Sequence, residues 1–599
     1  MARLVYAFAV SAACWGPAFC AIAAEPRAAV EGKLASDLQS EIVRAIGETD
    51  RPIQNRFEAR RRAQEAAQNA VTVLRSEGYY AYQIDSDIPD GDTPQPVVKI
   101  DPGPRFLLAD PQLRWIGTPP DPATAAAALG ALGLKTGDPG RAAEVVSAEG
   151  RAVAAVQKRG YADVKTEPRE VVVDHADHSV RPTYRIDAGQ LVHLDGILLE
   201  TAGRTRKEWL LGLSPWKSGE AYDPEDVAEL ERRVLDAGIY ESVTVALASP
   251  ADVTPEGLRP ILVSLVERKP RRLEVGASYS TSEGAGLDVR WTRFNRLGRA
   301  DTTTLIARAS DLDSRLEADL SLPHWRMPQQ TLEAKAAIYR VRTPAYDQEG
   351  VMALADVTHR FGPRATFGLS GTYVTYGASL DFGRTSEVRI GSLTPLGRDV
   401  VTAAGLLDLA LDRSDDPLNP RRGWRVSARM EPTLLSGAGV VPYLKVQSQA
   451  SAYLPLGKDA RTVIAGRLHV GSLLNGSLAD IPAPQRFYAG GGGSVRGFGY
   501  QEVGPRLANN TPQGGLSLLE GSLEVRHDLT AQWGLVAFVD AGTIDDAPTP
   551  GLADLAIGAG FGVRYNLGFG PIRVDIATPV TMRHGAAPFQ IYISIGQAF

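Results

Sequence analysis

The least ordinary stretch of the chain runs from Arg486 to Tyr500, where six of fifteen residues are glycine and one guanidinium, Arg496, stands within Val495-Arg496-Gly497-Phe498. A phosphate cradle does not fit, because no Gly-Lys-Ser/Thr follows and the GxGxxG spacing is absent. Two readings stay open: a solvated glycine-rich loop, or a tip anchored through its arginine. The anchors for the second reading lie downstream. In Gly521–Arg526, Leu523 and Val525 define an apolar face and leave Glu524 on the other; in Val536–Gly542 the same alternation puts Phe538 and Asp540 on the polar face. A guanidinium meeting two carboxylates makes charge-assisted, bidentate hydrogen bonds, which is binding chemistry and not bond cleavage. Shielded from water, loss of one partner costs ~3–5 kcal/mol; in a wet channel the pair is worth under ~1 kcal/mol.

Other chemistry is sparse. Asp174-His175-Ala176-Asp177-His178 has metal-ligand residue types but falls at a turn between two strands, without a further ligand cluster, and reads as a solvated turn. HExxH, GxSxG and Walker patterns are absent. The 599 residues carry 64 Lys plus Arg against 70 Asp plus Glu, a net −6, so nucleic-acid binding has no electrostatic case and Arg60-Arg61-Arg62 reads as a solvated helix face. No cofactor, metal or enzymatic activity is expected.

The elements that must position Arg496 and its anchors are short alternating segments. From Arg271 to Phe599, runs such as Leu273, Val275, Ala277, Tyr279 alternate with Glu274, Gly276, Ser278, Ser280. A soluble sandwich shows this pattern too, but a membrane barrel uses it with strands of ~9–11 residues, and 16 strands allot about 21 residues to each strand plus connection. The last segment separates the two. Phe589, Ile591, Ile593, Ile595 and Phe599 share one face, and a bare apolar edge strand is an aggregation hazard unless a closed barrel pairs it with the first strand. Phe599 is then expected in the interfacial aromatic girdle. Mean hydropathy is −0.13, and beyond the N-terminus no ~20-residue apolar run offers a helical span.

Before Lys269-Pro270 a different unit recurs. Helices ending in Gly plus aromatic, at Gly78-Tyr79, Gly160-Tyr161 and Gly238-Ile239-Tyr240, stand 82 and 78 residues apart, with glycine suited to a left-handed C-cap. Asp138-Pro139 and Asp223-Pro224 each read as an N-cap followed by proline at the first helical position. Strands follow each aromatic, giving β-α-α-β-β modules of about 80 residues. At the start, Arg3, the apolar Leu4–Ile22 and Ala21-Ile22-Ala23 read as a secretory signal; a lipoprotein signal acylated at Cys14 is the competing reading. Cys14 and Cys20 both lie in this segment, so no disulfide is expected in the mature chain.

The glycine-rich run with Val495-Arg496-Gly497-Phe498, the Glu524 segment, Phe538-x-Asp540-x-Gly542 and Asp416-Pro417-Leu418-Asn419-Pro420-Arg421-Arg422-Gly423-Trp424 together resemble the BamA/TamA/FhaC outer-membrane insertase superfamily. The repeats resemble its POTRA domains, and three of them before a barrel is similar to the TamA-like branch, as is Asp226-Val227-Ala228-Glu229-Leu230-Glu231-Arg232-Arg233. BamA usually carries five, and two-partner secretion transporters two plus a plug helix. The implied fold is α+β POTRA repeats followed by a 16-stranded antiparallel transmembrane β-barrel. The implied division is a signal peptide 1–23, POTRA domains at 24–106, 107–190 and 191–269, and a barrel at 270–599.

The resemblance further implies that Arg496 tips an inward-folded sixth extracellular loop and pairs with Glu524 and Asp540 beside Phe538. It implies a lateral seam between the first strand, Leu273 to Thr281, and the last, Ile591 to Phe599, with Leu273, Val275, Gly596 and Phe599 on it. Gly492 departs from the family, which commonly has an acidic residue there. The expected function is insertion or translocation of β-rich clients such as autotransporters in the outer membrane. The repeats would then lie in the periplasm, with outer-membrane lipid, unfolded clients and an inner-membrane-anchored TamB-like protein as partners. A two-partner secretion transporter or a passive pore is the alternative.

Overall fold

The computed structural model describes residues 25–49, 53, 55–89, 94–280, 284–362, 365, 369–437, 439–457, 460–567, 570–581, 587–595 and 597–599. The expected signal segment with Cys14 and Cys20, and the seam residue Gly596, lie outside the described residues. The chain forms two compact units. One takes the chain up to Asp195 with Trp216–Asp226 and Pro250–Arg259; the other takes Gly196–Pro215, Val227–Ser249 and Pro260–Phe599.

In the first unit, Ala29–Glu31 runs parallel to Val97–Asp101, which pairs on its other side with antiparallel Gln83–Asp87. Helices Ser36–Ile46 and Arg56–Ser76 cover one face, seating Leu38, Ile42, Ala66, Ala70 and Leu74 on Val98 and Ile100. The arrangement repeats with Gln112–Trp115, central Ser179–Asp187 and Lys165–Asp174, under helices Pro122–Ala131 and Ala142–Gln157. A third sheet, almost all of it in the second unit, orders Leu194–Thr201, Arg259–Glu267 and Tyr240–Leu247 the same way. This is the β-α-α-β-β order expected from the sequence. The three helix-ending glycines Gly78, Gly160 and Gly238 all take positive φ, at 89°, 100° and 73°.

One cap differs from its expectation. Asp138-Pro139 does not open a helix: the Asp138 carbonyl accepts from the Leu108 amide, and Pro139 bridges Leu107, so the pair is drawn into the sheet. The helix that ends at Gly160 starts at Ala142 after Arg141 without a side-chain cap, and it is the preceding helix, Pro122–Ala131, that an Asp-Pro pair opens, the Asp121 carboxylate accepting from the Ala123 and Thr124 amides at 3.0 Å each. Asp223 caps Pro224–Asp236 through the Glu225 amide, as read.

The second unit contains a closed barrel of sixteen antiparallel strands, from Arg271–Ser280 to Gln590–Ile595. Alternation sorts the side chains: Leu273 and Val275 are 66% and 67% exposed on the outside, while Glu524, Phe538 and Asp540 are buried inside. An outward apolar belt of this kind is stable only against lipid. At the end of the barrel nearest the chain's entry, Glu267 accepts from the Arg204 and Thr205 amides and from Asn295 Nδ2, at 2.7, 2.8 and 2.8 Å. This ties the strand leading into the barrel to the turn between its second and third strands, Gly284–Phe294 and Thr302–Ser310.

A second tie involves His324, in the turn between Asp313–Leu322 and Gln330–Arg342. Its Nδ1 accepts from the Gln329 amide at 2.9 Å, so Nε2 carries the proton it donates to the Arg233 carbonyl at 2.7 Å. Burial pushes this imidazole below its ordinary value, opposed by that carbonyl and by Asp236 and reinforced by Arg233. The neutral form is therefore the docked one: the contact is fully present above the free histidine value near pH 6.5 and is lost as pH falls below it, through the lowered value of the docked imidazole. Amide exchange of the Pro224–Asp236 helix, corrected for intrinsic rates, is expected to quicken between pH 7.5 and 5.5, and His324→Gln to flatten that response. A parent protein with no such pH dependence would overturn this.

Candidate functional site

The connection from Asn475 to Leu516 joins strands Thr462–Leu474 and Ser517–Asp528 and is the sixth at its end of the barrel. It is not a solvated linker. Phe487, Ala489, Val495, Phe498 and Val503 are buried and pack with Leu473, Leu518, Ile544 and Ala556 from the strands. At its base Arg486 donates to the carbonyls of Ile481, Gln513 and Leu478, at 2.9, 2.8 and 2.8 Å. These satisfy carbonyls that a buried irregular backbone otherwise leaves open.

The tip carries the site. Arg496 is 1% exposed. Its Nε and Nη2 grip Asp540 at 2.7 and 2.9 Å, its backbone amide adds a third bond to the same carboxylate at 3.1 Å, and Nη2 pairs with Glu524 at 2.8 Å. Its carbon Cζ lies 3.4 Å from the centroid of the Phe538 ring, an attractive placement for a guanidinium over an aromatic face. The structure thus brings Arg496, Glu524, Phe538 and Asp540 together, with Val495, Gly497 and Phe498 holding the flanks of the tip. Gly497 takes φ 99°, and a Cβ on it would meet the Thr578 carbonyl oxygen at 2.7 Å.

Several residues of the site escaped the sequence reading. Asp575 supplies a third carboxylate, 3.1 Å from Arg496 Nη1. Its signal was present, because Val574 and Ile576 flank it and alternation sends it inward. Arg526 pairs with Glu524 at 2.8 Å, and Arg564 and Arg573 pair with Asp575, so four guanidiniums surround three carboxylates. Gly558, Gly560 and Gly562 face inward on Ala556–Leu567 and form the floor. A Cβ at Gly558 would lie 1.8 Å from the Arg496 carbonyl oxygen, one at Gly560 2.6 Å from Phe538 Cζ, and one at Gly562 1.9 Å from Asp575 Oδ1. The period-two spacing of these glycines was the readable mark. Tyr592 also reaches the tip, through Gly497 and Phe498.

The seam residues are placed differently. Leu273 and Val275 stand opposite Trp291 and Val289 on the second strand, facing outward. Among the described residues, the first and last strands meet at Ser280 opposite Tyr592. Phe599 is not in the girdle or on the seam. The last strand ends at Ile595, so alternation no longer governs the chain, and Phe599 turns inward against Tyr453, Val463 and Ala465 with Arg526 over its ring at 5.3 Å. His175 and His178 stack edge-on against Phe106, at 5.1 Å each.

An inward sixth loop with a buried arginine tip, inside a sixteen-stranded barrel that follows β-α-α-β-β units, narrows the comparison with known proteins. Residues 295–599 match the Omp85 superfamily domain. The chain belongs to the Omp85 superfamily. It is 22% identical over 346 residues to the outer membrane protein assembly factor BamA of Neisseria meningitidis serogroup B, covering 54% of this chain and 42% of that protein. To BamA of Neorickettsia risticii it is 23% identical over 392 residues, covering 62% and 50%. The chain spans about half the length, or less, of these curated relatives. The crystal structure of BamA from Haemophilus ducreyi lacking POTRA domains 1-3 superposes with a TM-score of 0.67 at 18% identity, covering 82% of this chain and 100% of that one. The likeness is one of fold, and the Omp85 barrel is the part that holds the arginine seat.

In a seat shielded from water, Arg496→Ala takes one of several guanidinium partners from Glu524 and Asp575 and the guanidinium that grips Asp540, and is expected to cost ~3–5 kcal/mol. The folded barrel should then lose its heat-resistant band in semi-native electrophoresis at a lower temperature. Gly560→Val, which crowds the floor without touching a charge, should act in the same direction. Parent-like heat resistance in both variants would dismiss the seat as a stabilising feature.

Proposed function

We propose that this Omp85 chain is an assembly factor that inserts or translocates β-rich clients such as autotransporters. It resides in the outer membrane with its N-terminal units in the periplasm. The observation that carries the reading is the Arg496 tip seated on three lumen carboxylates, which anchors a loop folded into the lumen of an Omp85 barrel. The relatives' name, outer membrane protein assembly factor, supports the same reading.

The proposed route for a client is a lateral seam between Arg271–Ser280 and Gln590–Ile595. A client strand pairing there satisfies backbone groups that are costly to leave open in lipid, so the client's own folding supplies the driving force. The edge strands Gln83–Asp87, Lys165–Asp174 and Tyr240–Leu247 offer unpaired backbone for strand addition by extended segments. Three such units suit a TamA-like member, for which an inner-membrane-anchored TamB-like protein is the proposed partner.

The test is insertion of a client into liposomes by the purified protein, with cysteines placed in the first and last strands. Oxidation is expected to stop insertion and reduction to restore it. Insertion at full rate through a locked seam, or steady open-channel conductance with no effect on clients, would replace this reading with a secretion pore.

A further inference from the structure

Tyr592 lies on the lumen face of Gln590–Ile595, buried with Val536, Phe538 and Ala577. Its phenol oxygen accepts the Gly497 amide proton at 3.1 Å and donates to the Phe498 carbonyl at 3.1 Å. One hydroxyl therefore holds both residues that follow Arg496. The charge seat does not require this contact, since all three carboxylates come from strands other than the last. Room for the ring depends on Gly492, where a Cβ would lie 2.9 Å from Tyr592 Cδ1. A side chain at position 492 would therefore press on the ring that holds the tip. Through its backbone, the same tyrosine is the residue that stands opposite Ser280 of the first strand.

We infer that Tyr592 is a positioning residue that couples the seated arginine tip to the closing pair of strands. The inference rests on the lateral-seam reading above. Seating the tip orders the last strand at the point where it meets the first, and separation of the strands there loosens the tip. Such coupling is reciprocal. It also requires no movement of Asp540, Glu524 or Asp575, which stay on the barrel wall.

The experiment is hydrogen–deuterium exchange on the full chain in lipid nanodiscs, read on Arg271–Ser280 and Gln590–Ile595, for the parent, Tyr592→Phe, Arg496→Ala and the double variant. Tyr592→Phe keeps the ring and removes both hydrogen bonds. It is expected to speed exchange in the two closing strands on the order of tenfold and to leave Ser517–Asp528 at parent rates. The double variant should be no faster than the quicker single one, because both changes cut one connection. Gly492→Ala, which crowds the ring, should move the closing strands in the same direction and serves if Tyr592→Phe folds poorly.

Parent-like exchange in the closing strands of both Tyr592→Phe and Gly492→Ala would overturn the inference. Full additivity of the Tyr592 and Arg496 changes, or a uniform rise across all strands, would do the same. The two readings fail separately. A disulfide-locked seam that still inserts clients removes the seam mechanism while the exchange coupling stands; uncoupled exchange in a protein that a locked seam inactivates removes only the role given to Tyr592.

Discussion

A guanidinium withdrawn from water is stable only where its hydrogen bonds and its charge are both met, and Arg496 meets them with side chains from three strands. Glu524 comes from Ser517–Asp528, Asp540 from Trp533–Asp545 and Asp575 from Gly570–Pro579. A one-residue slip in any of these strands would turn its carboxylate out toward lipid, because side-chain direction has period two. The seat is therefore also a check on register. The inward glycines of Ala556–Leu567 complete it: they leave the fourth strand of this wall without side chains where the arginine and Phe538 must fit. Tip, register and floor are mutually dependent, which is how a buried polar network differs from a set of separate pairs.

The lumen wall of a barrel is polar, so it cannot by itself supply a packed interior. The sixth loop brings one. Phe487, Val495, Phe498 and Val503 join Leu518, Ile544 and Ala556 in a cluster that no strand could form alone. The barrel thus combines an outer apolar belt against lipid with an inner core that the loop completes. Arg486 staples the base of that loop through carbonyls, while Arg496 fixes its tip through carboxylates. Wall side chains act at both ends: Glu387 accepts from the Ala483 amide and Tyr443 and Lys445 reach Gln485 at the base, while Glu524, Asp540 and Asp575 hold the tip. Loss of the tip contacts thus leaves the loop's root in place.

Alternation made much of this legible. Glu524, Phe538 and Asp540 were assigned to the lumen because apolar neighbours two residues apart define the outer face, and the same rule applied to Val574 and Ile576 would have found Asp575. The rule stops where a strand stops. Phe599 shares the parity of Ile591 and Ile593, but the ladder ends at Ile595 and the chain then follows lumen contacts. Local signals also tie: Asp121-Pro122 and Asp138-Pro139 are equivalent as sequence, and only the sheet pairing of Asp138 and Pro139 with Leu108 and Leu107 separates them. Tyr592 was readable as inward-facing, whereas its two hydrogen bonds to the tip span 94 and 95 residues and no periodicity reports on such distances.

The last strand is short, and its position is supported from directions other than the first strand. Outward, Ile591 and Ile593 contribute to the lipid belt; along one edge, Gln590 to Ile595 pair with Ala577 to Ile572. Inward, Tyr592 holds the tip, and the chain beyond the strand is drawn into the arginine network. Arg526, the partner of Glu524, donates to the Phe599 carbonyl at 3.2 Å, and Gln597 accepts from Arg564 at 3.2 Å while donating to Asn419 at 2.9 Å. The arginines flanking the Arg496 seat are therefore shared between the carboxylates that hold the tip and the segment that follows the last strand. A strand held through its hairpin partner, through the tip and through the segment that follows it therefore has supports for its place besides the first strand.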